Sequence, residues 1–342
     1  MGSTTELLVV QPHGGALTEP GSPEDNGRMP SDAQSSTYVG LDVGGTFLKG
    51  ARVDEEGKVL ERIQEPIVRD DIATLLEQLV RAVSRLDPTG RATAIGIGIP
   101  GIVHQATSRV LACPNLPLLD GFSLGMEITH RTARPVFLEN DANAAALGEA
   151  WLGAGRGADN LILVTVGTGV GGGVILRGRI WSGVNGHAGE IGHIQVDPAG
   201  VPCGCGSRGC LETVAGIGGW RRRATHLLES RTSALDGQLL DPAHIVEAAK
   251  AGDAVGLDVV DGVARALGIG IGAALLLLNL DRVVMGGGVS GAGPFLLDRI
   301  VDHVRRRVFP QVLAGCSFAL AELGSEAGVV GAARVAALGR AS

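Results

Sequence analysis

Tyr38-Val39-Gly40-Leu41-Asp42-Val43-Gly44-Gly45-Thr46-Phe47-Leu48-Lys49-Gly50-Ala51-Arg52-Val53 places apolar runs on both sides of a glycine turn. It reads as a strand over Tyr38 to Leu41, a turn at Gly44-Gly45-Thr46 and a second strand to Val53. The turn Glu55-Glu56-Gly57 and a third strand from Val59 continue it. The same outline returns later. Leu161 to Val166 is an apolar strand, Gly167-Thr168-Gly169 a glycine turn, and Gly173 to Ile180 the returning strand. Arg282-Val283-Val284-Met285 followed by Gly286-Gly287-Gly288 echoes Ile95 to Gly101. Strand, glycine turn, strand, then helix-separated strands, occurring twice, predicts a duplicated α/β fold with the active site between two halves.

Between and around these repeats, helical spacing of Ile72, Leu75, Leu76, Leu79, Val80 and Val83 predicts a helix from about Asp71 to Leu86, with acidic residues in its first turn. A buried strand Ala94 to Ile99, a helix near Leu124 to Thr132 and a strand Val136 to Leu138 complete the first half. Further helices are expected at Pro242 to Ala251, capped by Asp241, and at roughly Ala254 to Leu280. Residues 1 to 36, rich in Gly, Pro, Ser and Asp without hydrophobic period, read as a disordered tail.

A length of 342 residues with 45% apolar composition suits a soluble enzyme with two cores. The formal charge of -7 is spread along the chain without a basic block, which argues against nucleic acid or anionic membrane as partner. No secretory signal is visible, and the apolar run from Ile269 to Leu280 is interrupted by glycine and too short to span a bilayer. With three of the five cysteines clustered, a disulfide framework is not expected and a reducing cytoplasm fits.

That cluster lies between Glu190-Ile191-Gly192-His193 and Cys210-Leu211-Glu212, with Cys203-Gly204-Cys205 between them. A Cys3His set matches tetrahedral zinc and leaves no position for a catalytic water, so a metal here is structural and pins the segment carrying Glu190, His193 and Glu212. The alternative is a reduced, metal-free Cys-x-Cys loop. Gly204, Gly206 and Gly209 favour the metal, because they let the backbone turn sharply around an ion.

Two Gly-x-Gly-x-x-Gly matches, at Gly96 and at Gly167, are not dinucleotide turns, since neither opens a helix. Glycine turns between strands still hold phosphate through convergent backbone N–H groups and a threonine hydroxyl. Gly44 to Thr46 and Gly167 to Gly169 are read either as plain hairpins or, as a facing pair, as a nucleotide clamp. Asp42 then stands by the phosphates and meets Mg²⁺ through water, or only caps its own turn. Asp141, between the strand ending at Leu138 and an alanine-rich helix, is an N-cap or a base for a hydroxyl.

Asp42-x-Gly44-Gly45-Thr46, Gly98-x-Pro100-Gly101, Glu139-Asn140-Asp141-Ala142-Asn143, Gly167-Thr168-Gly169-x-Gly171, Glu190-Ile191-Gly192-His193 and Cys203-x-Cys205-Gly206-x-x-Gly209-Cys210-Leu211-Glu212 resemble, in that order, the ROK family of sugar kinases and sugar-responsive repressors. The resemblance implies a two-lobed, actin-like (ribonuclease H-like) fold of the α/β class in which ATP and sugar meet in a cleft. It implies a small lobe over 37–138, on which a C-terminal helix at 326–342 packs back, and a large lobe over 139–325 with a zinc segment at 193–210.

In that resemblance Asp141 matches the catalytic base, and Gly101, Asn140, Glu190, His193 and Glu212 hold the sugar. Asp42, Gly44, Gly45, Thr46, Lys49, Gly167, Thr168, Gly169, Gly286, Gly287 and Gly288 lie along ATP and Mg²⁺, and His193, Cys203, Cys205 and Cys210 hold structural Zn²⁺. Phe47 departs from the pattern, because many relatives carry lysine there. The activity implied is transfer to the 6-hydroxyl of glucose by a cytoplasmic homodimer or homotetramer. N-acetylglucosamine, N-acetylmannosamine, mannose and fructose are alternative substrates, and a non-catalytic sugar sensor is the alternative of another class.

Overall fold

A computed structural model describes residues 36–339. The tail read from the sequence therefore lies outside the described residues, save its last residue. The first half contains β1 (Thr37–Val43), β2 (Phe47–Asp54), β3 (Val59–Pro66), α1 (Ile72–Leu86), β4 (Ala94–Ile99), β5 (Ile102–His104), β6 (Arg109–Ala112), α2 (Leu124–Thr132) and β7 (Val136–Asn140). After α3 (Asp141–Leu152) come β8 (Leu161–Val166), β9 (Val170–Leu176), β10 (Arg179–Ile180), α4 (Leu211–Ala215), α5 (Ile217–Leu228), α6 (Pro242–Lys250) and α7 (Ala254–Leu278). β11 (Arg282–Gly286), α8 (Pro294–Arg305), α9 (Pro310–Ala314), β12 (Ser317–Leu320) and α10 (Ala327–Gly339) close the fold.

The duplication is explicit in the strand order. One sheet runs β3-β2-β1-β4-β7 and the other β10-β9-β8-β11-β12. In each, the first three strands in sequence form an antiparallel meander, and the next two join the first strand's free side in parallel. β11 thus occupies the place of β4, so the echo between Arg282–Gly288 and Ile95–Gly101 is topological. Each sheet has its own core. Leu41, Leu75, Leu79, Ile95, Ile97 and Leu138 belong to the first, and Val164, Trp220, Val259, Ile271 and Val283 to the second. Each such apolar side chain taken from water stabilises by about 1.5–3 kcal/mol before chain entropy is counted.

α10 lies against β1, β4 and α3 at a spacing only glycine allows. A Cβ on Gly40 would stand 2.1 Å from the Val329 carbonyl oxygen, and one on Gly96 1.8 Å from that of Ala332. The backbone of the chain's last helix therefore rests directly on the strand backbones of the first sheet.

Several expectations need adjustment. The strand expected over Gly173 to Ile180 begins at Val170 and breaks at Arg177-Gly178, where both φ angles are positive, 54° and 70°, as a two-residue hairpin turn requires. No acidic residue sits in the first turn of α1; Asp71 is instead its cap, accepting from the Thr74 N–H. α7 spans 25 residues and is long and apolar enough to cross a membrane, contrary to the reading of that run, yet 72% of its most apolar window is buried in the protein. Among the described residues it is a core helix by packing.

Candidate active site

The two glycine turns open on one cavity. The turn between β1 and β2 is closed by the Gly44 N–H donating to the Phe47 oxygen at 3.0 Å and tied to the end of β3 by the Ile67 N–H on the Thr46 oxygen at 3.0 Å. The turn between β8 and β9 is closed by the Gly167 N–H on the Gly169 oxygen at 2.9 Å and tied to α5 by the Ile217 N–H on the Gly167 oxygen at 3.0 Å. Gly45, Thr46, Thr168 and Gly169 all line an opening of about 1010 Å³ that also reaches His193 and the cysteine loop.

At the junction of β7 and α3 the cap is Asn140, where Asp141 had been one candidate. The Asn140 side-chain oxygen accepts from the Ala142 and Asn143 N–H groups at 2.9 and 3.1 Å, and its Nδ2 donates to the Gly101 oxygen at 3.0 Å. Asp141 is the first helical residue, and its Oδ1 accepts from the Ala142 N–H at 2.8 Å. A helix start should hold a carboxylate ionised. Here burial, then the charges of Asp42 and Glu190, outweigh that effect and push Asp141 up to about 6. Burial likewise raises Asp42, against the opposing pull of Lys49.

Glu139 stands directly before Asn140, at the end of β7. It is 2% exposed, and burial raises its carboxyl. Its Oε1 accepts from the Asn140 N–H at 2.9 Å and Asn143 Nδ2 at 3.0 Å, while Gln105 Nε2 donates to Oε2. Glu139 thus holds the backbone at Asn140 from behind. The signal for it was the pairing of an acid with Asn at four-residue spacing; Gln105, on a distant turn, gave none.

The four candidate metal ligands converge. His193 Nδ1 lies 3.6 Å from Cys203 Sγ, Cys205 Sγ lies 3.7 Å from Cys210 Sγ, and all four ligand atoms fall within 4.8 Å of one another. Tetrahedral zinc with bonds of about 2.3 Å to sulfur and about 2.0–2.1 Å to nitrogen separates two sulfurs by about 3.8 Å and sulfur from nitrogen by about 3.5 Å. The four residues therefore could hold zinc with side-chain shifts of no more than about 1 Å. Gly206 and Gly209 have φ of 91° and 63° and make the turns; Gly204 is not in the left-handed region, so its expected turning role falls away.

The other side of His193 faces the cleft, with Nε2 at 3.8 Å from Glu190 Oε2. α4 begins directly after Cys210, and Glu212 Oε2 accepts the Val170 N–H at 3.1 Å. A Cβ on Gly169 would sit 2.2 Å from that oxygen, so this turn needs glycine to receive Glu212.

Gly101, Asn140, Asp141, Gly167 to Gly169, Glu190, His193 and Glu212 line a single cavity of about 580 Å³, a volume suited to a small ligand. Pro114 and Asn115, which the sequence had not marked, line it too. Asp42, Lys49, Gly286 and Gly287 meet Asp141 in a smaller cavity of about 240 Å³. Lys49 Nζ donates there to the Ser325 oxygen at 3.1 Å. Gly288 lines neither cavity and opens a single 3-10 turn.

The profile of the ROK family matches residues 38–338. The chain is 42% identical over 307 residues to a glucokinase of Halalkalibacterium halodurans, covering 86% of this chain and 93% of that one. It is 31% identical over 283 residues to the DNA-binding transcriptional repressor Mlc of Escherichia coli, covering 81% of this chain and 70% of the repressor. Its fold matches that of a ROK family glucokinase from Streptomyces griseus, solved in complex with glucose and AMPPNP, with a TM-score of 0.73 at 35% identity over 89% of this chain and 100% of that one. With an actin-like pair of sheets, the ordered motifs and this match along nearly the whole described fold, the chain belongs to the ROK family.

Proposed function

We propose that this chain transfers the γ-phosphoryl group of ATP to the 6-hydroxyl of glucose. The coarser activity, ATP-dependent phosphorylation of a hexose, follows from its family and from relatives that are glucokinases. The choice of glucose is the finer reading. The single cavity in which Asp141 shares its walls with Asn140, Glu190, His193, Glu212 and the Gly167–Gly169 turn carries the sugar-kinase reading, and the glucokinase relatives favour glucose within it.

In the proposed reaction the sugar sits against Gly101, Asn140, Glu190, His193 and Glu212, with O6 at Asp141. Asp141 accepts the hydroxyl proton as O6 attacks the γ-phosphorus, and ADP leaves in line. With a pKa of about 6 the carboxylate is mostly ionised at pH 7 and still basic enough to take a proton. The N–H groups of Gly45, Thr46, Thr168 and Gly169 would cradle the phosphates of ATP, those of Gly44 and Gly167 being spent on closing their turns, while Asp42 would hold magnesium and Gly286 to Gly288 would lie along the adenosine. Zinc, held by His193, Cys203, Cys205 and Cys210, would supply no chemistry and would fix the ring of His193. Nδ1 then points to the metal and Nε2 to the sugar. Closure of the cleft on both substrates excludes water from the phosphoryl group.

The test is kcat/KM with MgATP across glucose, N-acetylglucosamine, N-acetylmannosamine, mannose and fructose. The reading requires glucose to lead. Another leading sugar would keep the kinase and move its substrate, and binding of a sugar with no turnover would place the chain among the family's sensors.

A further inference from the structure

No lysine or arginine follows the first glycine turn directly. Phe47 follows Gly44-Gly45-Thr46 and is 41% exposed, offering a phosphate nothing but a ring edge. Lys49 is two residues further on, but its ammonium is engaged with the Ser325 oxygen and its charge acts on Asp42. One guanidinium does reach the turn. Arg69 Nη2 lies 3.6 Å from where a Cβ on Gly45 would stand, on the wall of the same 1010 Å³ opening that holds Thr46, Thr168 and Gly169.

Arg69 is exposed and forms no hydrogen bond or ion pair among the described residues. Of the two acids that follow it, Asp70 is exposed and makes no ion pair with it among the described residues, and Asp71 is turned away. Asp71 caps α1, its two oxygens accepting from the Thr74 N–H at 2.9 Å and the Thr74 hydroxyl at 2.6 Å. Across the opening stands Arg222 of α5, anchored by Nη2 on the Thr213 oxygen and folded over Gly218. An unpaired guanidinium beside a phosphate-sized turn, opposite a second one, is the arrangement a polyphosphate chain recognises, since planar N–H groups bond phosphate oxygens with charge assistance.

We infer that Arg69 is the donor-phosphate cation of the first half, taking the place left by Phe47, and that Arg222 completes the clamp from the second half. The inference rests on the proposed use of MgATP as donor. It adds that the phosphate chain is gripped by side chains from both halves, so the donor itself draws the cleft closed.

The experiment is calorimetric titration of wild type, R69A and R69K with MgATP, inorganic tripolyphosphate and adenosine, beside glucose titration and steady-state turnover. R69A should weaken MgATP and tripolyphosphate by about 10-fold or more. Adenosine and glucose affinity should stay unchanged, the KM for ATP should rise, and R69K should recover part of the loss. F47K in the R69A background should recover donor affinity as well, which a merely structural role for Arg69 would not allow. R69A with wild-type affinity for MgATP and tripolyphosphate overturns the inference, as does an equal loss for adenosine. Binding is read without turnover, so a wild type that binds MgATP but phosphorylates no sugar sinks the kinase reading and leaves this one standing. A wild type that binds no MgATP sinks both.

Discussion

In the first half the glycine turn hangs from two main-chain hydrogen bonds, those of Gly44 and Ile67, and Thr46 and Phe47 beyond them are exposed. In the second half the corresponding turn is also gripped by a carboxylate, because Glu212 accepts the Val170 N–H and presses against Gly169. Glu212 is placed by α4, which starts directly after Cys210, the last residue of the Cys3His cluster. Between β10 and α4 the second half carries the segment that brings Glu190, His193 and the cysteines; between β3 and α1 the first half carries only a short link. One topology, used twice, thus gives two different surfaces. The first leaves its turn open and the second is cross-braced, which in the proposed reaction suits the one to a donor that arrives with closure and the other to sugar hydroxyls held in fixed directions. Orientation is costly to hold with side chains alone, and a metal bound to one ring nitrogen sets the direction of the other.

The largest effect expected is at the seam of the halves. Asp141→Asn should lower turnover by about 10²–10⁴-fold while glucose affinity and metal content stay near wild type, measured by ADP release and calorimetry. Unchanged turnover would remove Asp141 as base. Next is the brace itself. Cys205→Ser should lose the metal and weaken glucose about 10–100-fold, with MgATP affinity far less affected. Full glucose affinity in a metal-free variant would erase the contrast between the halves.

A smaller effect follows from pH. The base must be ionised, and Asp141 sits at about 6, so kcat/KM should hold a plateau above that value and fall about tenfold per unit below it. A limb near pH 4, the range of an unburied carboxyl, would mean that Asp42, Glu190 and burial do not act on it. The smallest effect is on stability. The folded pKa of Asp141 exceeds the unfolded value, so its protonated form favours folding at low pH and this contribution is lost as pH rises through about 6. At pH 8 the ionised group costs on the order of 1–3 kcal/mol, and Asp141→Asn should raise the melting temperature there but not at pH 4. A variant that melts lower at pH 8 would contradict this.

How much of this was legible depended on how local each signal is. β4 and β8, read as apolar runs, and α2 have the bounds expected, and α1, read from its helical spacing, starts one residue later than expected because Asp71 is its cap. The break in β9–β10 was not, because Arg177 carries no mark of the left-handed backbone a hairpin turn demands of it. The Cys3His ligands lie close in sequence and were readable as a set. The basicity of Asp141 was not readable, since it comes first from burial in the cleft and then from Asp42 and Glu190, which reach it from opposite halves. Asn140 rather than Asp141 caps α3 because its side chain bends back to two N–H groups, a choice of rotamer that no sequence records. Arg69 and Asn115 belong to connecting segments whose positions the sheets decide.

The most direct test follows glucose-dependent ADP formation from MgATP on one preparation, first as purified, then after chelation, then after zinc is returned. The account predicts turnover that requires glucose, falls with removal of the metal and comes back with zinc. ADP formation indifferent to glucose, or a glucose-dependent rate indifferent to the metal, would contradict it.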